Sequence, residues 1–277
     1  MRIALLGDIH GNLYALAQVI DDIEKWQADV VLVAGDILNR GTRPRECWQL
    51  ITEKASTRGW RIICGNHEEY VLNLNNELTQ SSLTNQSVHQ HTICTRDQLI
   101  DDLDQIIKLP YHDQLKTDLG TVYMTHGSLK GIRVGIYPEE TDTQIAKKIN
   151  SFATLFCVGH THRPFYRYID NTLVVNVGSV GMPFDGDFRS SYVQVESLAG
   201  VWHPSVIRLN YDRTEARKDF FKSNFINGSG PLAKVIIREF DDCLPYLADW
   251  TRCFQKAVIN GEITMQKAVQ DYLVKLG

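Results

Sequence analysis

Apolar positions in the first part of the chain follow two alternating rhythms. Arg2 to Leu6 is a short apolar run that ends at a glycine and an aspartate, and it predicts a β-strand. Behind it, Leu13, Leu16, Ala17, Ile20 and Ile23 recur at helical spacing, on one face of an amphipathic helix. Val30 to Ala34 is β-branched-rich and without polar interruption, the pattern of a strand covered on both faces. A second helical pattern over Glu46 to Lys54 leads to a third strand at Trp60 to Cys64. This β-α-β-α-β order predicts a parallel sheet with right-handed crossovers, and hence an α/β fold.

The rhythm weakens over residues 69 to 118. Leu72 to Thr92 is rich in Asn, Gln, Ser and Thr, which predicts a helical or irregular excursion outside the core, placed to serve as a lid or cap. Strands resume at Thr121 to Met124, Leu155 to Val158, Leu173 to Val177 and Tyr192 to Glu196, with a helix over Asp142 to Asn150 and an edge strand over 202 to 209. Arg213 to Gly277 predicts two or three helices, broken at Asn227-Gly228-Ser229-Gly230-Pro231 and at Asn260-Gly261. The organisation expected is a main domain over 1–212 and a C-terminal helical extension over 213–277 packed on that same domain. Val258, Ile263, Met265, Ala268, Tyr272 and Leu273 are expected to make the packing face, and the tryptophans to fill core.

Composition enters mainly by exclusion. At 277 residues, 43% hydrophobic and 22% charged, the chain can bury a full core and is not of disordered type. Its net charge of −4 gives no bulk attraction to nucleic acid or to an anionic membrane. No apolar stretch is long enough to span a bilayer, and Met1 to Asp8 lacks the apolar length of a signal peptide, so a cytoplasmic location is expected. The cysteines are scattered without a C-x-x-C pair, and Cys64 and Cys157 fall in strand-like runs, so they are expected as buried thiols.

Chemistry concentrates at the ends of the predicted strands. In order these are Gly7-Asp8-Ile9-His10-Gly11-Asn12, Gly35-Asp36 followed by Arg40-Gly41, Gly65-Asn66-His67-Glu68, Thr125-His126-Gly127 and Gly159-His160-Thr161-His162. Ligands of open α/β sheets bind outside the carboxyl ends of the strands, so one site can collect every block. Asp8 and His10, two apart, are expected to point to one side of a strand end. Carboxylate, amide and imidazole donors without thiolate suit Mn, Fe, Zn, Ni or Co. Asp8, His10, Asp36, Asn66, His126, His160 and His162 are too many ligands for one four-coordinate ion, whereas two ions roughly 3.5–4 Å apart that share a carboxylate would use them all. Two divalent cations facing only Asp8 and Asp36 as anions leave a positive excess. That excess draws a phosphate despite the global charge, and it brings a bridging water toward hydroxide near neutral pH.

These blocks, in this order, resemble the calcineurin-like metallophosphoesterase superfamily, whose pattern runs Asp-x-His, Gly-Asp, Gly-Asn-His-Glu/Asp, His-Gly and Gly-His-x-His. Asn176 to Gly181, Asp185-Gly186-Asp187, Ser191-Tyr192 and Arg208 to Asp212 are similar to its bacterial small-phosphodiesterase branch and to longer relatives, some of which act on dinucleoside polyphosphates. The resemblance implies a four-layer α/β/β/α sandwich, and a hydrolase that uses a metal-bridging hydroxide. It places Asp8, His10 and His162 on one metal, Asn66, His126 and His160 on the other, and Asp36 between them, with manganese the foremost candidate. His67 is implied as proton donor or charge stabiliser at the leaving oxygen, and Arg40 as a fork on the phosphate.

The match departs from related phosphatases in two places. Asn39 stands where they carry an Asp that orients the catalytic histidine, and Met182-Pro183-Phe184 stands where the bacterial branch has Gln-Pro-Arg. The second change removes a polar and a basic side chain and suggests an apolar or aromatic portion of the substrate, such as a base. A small nucleotide or other phosphoester is therefore the expected partner, with a phosphoprotein as the alternative and a non-catalytic scaffold of the same fold more remote. No basic stripe announces a nucleic-acid partner, and nothing in the pattern sets an oligomeric state. Asn12 reads equally as a helix cap or as a neighbour of the metals. His89, His91, His112 and His203 are expected at the surface.

Overall fold

Alternation along the strands sets the layering of the computed structural model, which describes residues 1–79 and 83–277, with side chains described outside 75–85. In strand β1 (Arg2–Leu6), Ile3 and Leu5 point into a core between two sheets, while Ala4 and Leu6 point to a core beneath helices. The second sheet repeats the device: Leu155, Cys157, Leu173 and Val175 face the inter-sheet core, and Phe156, Val158 and Val174 face an outer core. Two-sided burial is why these runs read as continuously apolar. Each fully buried Leu, Ile or Val contributes about 1.5–3 kcal/mol.

The first sheet has the order β10-β9-β1-β2-β3, from β2 (Val30–Val33), β3 (Arg61–Ile62), β9 (Ser190–Leu198) and β10 (Val201–Leu209). Its β1-β2-β3 part is parallel, as the sequence order requires, and β9 and β10 add antiparallel strands with β10 at the edge. The second sheet is β4-β5-β6-β8-β7, from β4 (His112–Thr117), β5 (Gly120–Thr125), β6 (Ala153–Val158), β7 (Phe165–Ile169) and β8 (Thr172–Asn176). Strands β4 and β7 go beyond the sequence reading. Both are edge strands with alternate residues exposed, so His112-Asp113-Gln114 and Tyr166-Arg167-Tyr168 carry no continuous apolar signal.

Helices α1 (Leu13–Trp26) and α2 (Pro44–Arg58) cover the first sheet. Asn12 caps α1, its side-chain oxygen accepting from the Ala15 amide at 3.1 Å, while its Nδ2 donates to the Gly181 carbonyl. Helix α3 (Asn66–Thr79), α4 (Leu83–Gln98) and α5 (Leu103–Ile106) form the excursion, of which residues 80–82 lie outside the described part. The excursion is not external to the core: Leu99 and Ile106 belong to the core under α1 and α2, and Val88 to the C-terminal core. The reason is a disguised stripe in which Val88, Thr92, Thr95 and Leu99 recur on one helical face and are all buried.

Helix α6 (Asp142–Ala146) covers the second sheet and stops earlier than its apolar pattern. The C-terminal part holds six α-helical segments rather than two or three: α7 (Arg213–Lys222), α8 (Phe225–Ser229), α9 (Ala233–Asp242), α10 (Tyr246–Trp250), α11 (Lys256–Ile259) and α12 (Met265–Leu276). Asn227-Gly228 lies inside α8 instead of breaking the chain, whereas the break after Ile259 falls at Asn260-Gly261 as expected. Val258, Met265, Ala268 and Tyr272 are buried in their shared core, which also takes in Met182 and Val88. The five tryptophans all pack against cores. Among the described residues every cysteine is free, with Cys64 and Cys157 buried.

Candidate metal centre

Loops following β1, β2, β3, β5 and β6 converge at one edge of the sandwich, and the backbone there is unusual. Asp8, His10, Asp36, His160 and His162 all lie in the left-handed region, at φ of 52°, 49°, 52°, 69° and 57°. Asp8 and His10 thus converge through tight left-handed turns, not through strand alternation as their spacing suggested. Each such residue costs on the order of 1–3 kcal/mol, tolerated where the surroundings over-determine it. Two close approaches add to this. A Cβ on Gly65 would lie 2.2 Å from Asp36 Oδ1, and one on Gly159 would lie 2.5 Å from Asp8 Oδ2.

The convergence brings every predicted ligand into two adjoining groups. Asp8, His10, Asp36 and His162 form one, and Asp36, His126 and His160 the other, with Asp36 common to both. Asp36 Oδ2 lies 3.2 Å from His126 Nε2 and 3.8 Å from His10 Nε2. Asn66 Oδ1 lies 3.0 Å from His126 Nε2 and 2.7 Å from His160 Nδ1, which adds the amide to the second group.

The histidine tautomers are set from outside. His10, His126 and His162 donate Nδ1–H to the carbonyls of Leu38, Ala34 and Met182 at 3.3, 2.7 and 2.5 Å. Their Nε2 atoms therefore point inward. His10 Nε2 and His162 Nε2 stand 3.1 Å apart, and Asp8 Oδ1, buried and without a hydrogen-bond partner, is 3.1 Å from the latter. Acceptors aimed at one another in a dry site repel unless a cation lies among them, so the residues fit a metal.

The electrostatics agree. Burial opposes the charge on Asp36, but His126, His67 and His10 outweigh it and hold the carboxyl well below the usual range. Burial also opposes a charge on His126, yet Asp36 and Asp8 push it up to about 10. Burial carries His10 and His67 well below their ordinary value, and brings His160 down to about 4 with His126 adding to the effect.

Glu68 organises the site although its motif gave it no role. Its carboxylate, fully buried, accepts from the amides of Asp36, Ile37, Leu38 and Gly65 at 2.8 to 3.1 Å. It thereby fixes the loop that carries Asp36. Glu68→Ala is expected to lower unfolding free energy by about 3–5 kcal/mol, because four buried amides lose their acceptor. Urea unfolding reads this, and a change under about 1 kcal/mol would contradict it. Ser179 supports the other side, its hydroxyl donating to the Asp8 carbonyl at 2.6 Å. The Asp185-Gly186-Asp187 turn pairs with Arg208 and Arg189.

Around the ligands stand the remaining predicted residues. His67 packs edge-on to His10 at 4.7 Å, its Nε2 is 4.0 Å from Asp36 Oδ2, and its Nδ1 is buried without a partner. The Asn39 side chain makes no hydrogen bond to it among the described residues. The Asn39 amide bonds instead to Thr92, Thr95 and the Arg40 N–H, and so docks α4 on the loop. His91, one residue before Thr92, is consequently half-buried rather than at the surface, with Nδ1 enclosed, and burial and the Arg40 charge bring it down to about 3. The Phe184 ring stacks on His162 at 4.1 Å and lies 5.7 Å from the Arg40 guanidinium, so packing already engages the face thought open to a base. Arg40 donates from Nη1 to Glu239 of α9 at 2.8 Å, a contact no motif announced.

Comparison with known proteins agrees with this geometry. Residues 1–198 match the calcineurin-like phosphoesterase superfamily domain. An uncharacterized protein of Methanocaldococcus jannaschii is 26% identical over 244 residues, 80% of this chain and 92% of that one. The crystal structure of a metallophosphoesterase from Sphaerobacter thermophilus aligns with a TM-score of 0.68 at 24% identity, over 88% of this chain and all of that one. That of a hypothetical protein from Pyrococcus horikoshii aligns with a TM-score of 0.71 at 16% identity, over 86% of this chain and 97% of that one. At such identities the two structures share the fold, the pair of mixed sheets flanked by helices described above.

Proposed function

The chain belongs to the calcineurin-like phosphoesterase superfamily and is a phosphoester hydrolase, and from that premise we propose that it uses two divalent transition-metal ions to cleave small phosphoesters, nucleotides and dinucleoside polyphosphates among them. The observation that carries this reading is the shared position of Asp36 between two buried donor groups. Asp8, His10, Asp36 and His162 would hold one ion, and Asp36, Asn66, His126 and His160 the other, with manganese first among the candidates. When bound, two such ions offset phosphoryl charge and supply a water acidified to near neutral pH as nucleophile.

The chain's own residues do the rest. Asp36 and Asp8 set the net charge of the site, and the carbonyl bonds at Nδ1 keep Nε2 of all three imidazoles turned inward. Arg40 offers guanidinium N–H groups to the non-bridging phosphoryl oxygens. His67 stabilises the leaving oxygen by donating a proton or an N–H hydrogen bond, its imidazole fixed between Asp36 and the Tyr70 ring, which lies 5.2 Å away edge-on.

Burial favours a small substrate. Asp8, His10, Asp36, His67, His126 and His162 are at most 5% exposed, an enclosure that supports a small phosphoester over the folded surface of a phosphoprotein. No helix among the described residues is long and apolar enough to cross a membrane. The test is a substrate ranking. The protein is freed of metal, reloaded with Mn, Fe, Co, Ni, Zn or Mg, and offered nitrophenyl phosphate, bis-nitrophenyl phosphate, a dinucleoside tetraphosphate and a phosphopeptide. Metal-restored cleavage of the small esters and the nucleotide is expected. Preference for the phosphopeptide would overturn the substrate assignment.

Metal loading should also release protons at pH 7, and affinity should rise with pH, because Asp36 and Asp8 push His126 up to about 10 and its Nε2 must give up a proton to become a ligand. Calorimetric titration with manganese in buffers of different ionisation enthalpy reads the release. Equal heats in all buffers would contradict it.

A further inference from the structure

The loop that carries Arg40 is tied to the C-terminal helices at two points, and the two ties differ in kind. At the first, Asp219 of α7 closes a bidentate pair with Arg43, Nε to Oδ2 and Nη2 to Oδ1 both at 2.6 Å, and also accepts from Thr42. Arg61 with Asp113 and Arg217 with Asp241 are joined in the same bidentate way. Such fork-to-fork pairs use both carboxylate oxygens and one whole edge of the guanidinium.

At the second tie, Glu239 meets Arg40 through a single bond, Nη1 to Oε1. Arg40 Nε stays buried without a partner, and so does Glu239 Oε2, while the Leu247 amide also supports the Glu239 carboxylate. The pair is far less accessible than the bidentate ones, with side-chain exposures of 12% and 0%. A buried pair that served stability alone would be expected to satisfy these atoms, since each orphan lowers stability. Glu239 is itself buried, on a helix that also buries Val235, Ile236, Ile237 and Phe240. The guanidinium is further held near the Phe184 ring, which itself stacks on His162.

We infer that Glu239 is a positioning residue of the active site, holding Arg40 by Nη1 so that the rest of the guanidinium is kept for the phosphoryl oxygens of the substrate. This rests on the reading of Arg40 as a phosphoryl contact. The site is then completed by a helix outside residues 1–198, the span matched by the family domain. Asp219 is the mechanical anchor of the same loop and serves as the control.

The test uses the full-length chain loaded with manganese, with bis-nitrophenyl phosphate as substrate and inorganic phosphate as competitive probe. Glu239→Gln keeps the shape and removes the charge. It should raise KM and weaken phosphate inhibition about tenfold with a smaller change in kcat, the signature of a displaced phosphate ligand. Arg40→Lys should weaken both at least as much, and Glu239→Gln added to it should change neither by more than about twofold, as expected for two residues acting as a unit. Glu239→Asp, which keeps the charge, should recover part of the loss. Asp219→Asn should lower the melting temperature more than Glu239→Gln does, with a smaller effect on phosphate inhibition.

If Arg40→Lys matters while Glu239→Gln moves only the melting temperature, or if the two effects add independently, Glu239 is a structural partner and the inference fails alone. If Arg40→Lys leaves KM and phosphate inhibition unchanged, the phosphoryl role of Arg40 fails and takes the inference with it.

Discussion

Replacing Asp36 with Asn leaves a folded protein that retains at most one ion and hydrolyses phosphoesters at least about 10³-fold more slowly. The magnitude follows from how much converges on one carboxylate. Oδ1 accepts the His67 backbone amide at 2.8 Å, and Oδ2 lies against His126 and His10 from opposite groups of ligands. An amide is isosteric but neutral. It takes away the anion shared by the two groups, and one orientation would turn an N–H toward imidazole lone pairs or a cation. Metal content by plasma mass spectrometry and turnover of bis-nitrophenyl phosphate read both effects together. Full turnover in this variant would refute the shared position of Asp36.

The second large effect is at His67. His67→Ala is expected to reduce turnover by about 10²–10⁴-fold for alkyl esters and much less for nitrophenyl esters, while two ions remain bound. A poor leaving group needs a hydrogen bond or proton as its bond to phosphorus breaks, whereas nitrophenolate carries its own charge well. The imidazole is placed for this by contacts that do not pass through Asn39: the Tyr70 ring, His10 and Asp36 surround it. Accordingly Asn39→Asp should matter less to turnover than a charge relay through that position would require. Equal losses for both ester classes would contradict a role for His67 at the leaving oxygen.

How far the chain could be read before its structure depended on what each residue needed from its neighbours. Strands buried on both faces, such as β1, β2 and β6, show themselves because every position must be apolar, and the strand-end motifs show themselves because metal ligands need particular side chains. The left-handed backbone of Asp8, His10 and Asp36 was hidden, since nothing but φ distinguishes it from an ordinary strand end. Edge strands β4 and β7 were hidden because half of each faces solvent. Helix α4 was mistaken for a surface excursion because Thr92 and Thr95 occupy its buried stripe, satisfied there by the Asn39 amide. Glu68 stood in plain view within its motif, but its work is done through backbone amides that leave no trace in sequence. Glu239 lay farthest from reach: its partner Arg40 is distant along the chain, and a glutamate between Arg238 and Phe240, with Asp241 and Asp242 following, looks like solvated surface.

We propose that this fold runs phosphoester hydrolysis on a pair of ions held by Asp8, His10, Asp36, Asn66, His126, His160 and His162. The most direct test is a stepwise manganese titration of the metal-free chain, following bound metal and bis-nitrophenyl phosphate hydrolysis in the same samples. The account predicts saturation at two ions per chain, with most of the activity appearing on the second. Saturation at one ion with full activity, or hydrolysis that persists under complete chelation, would contradict it.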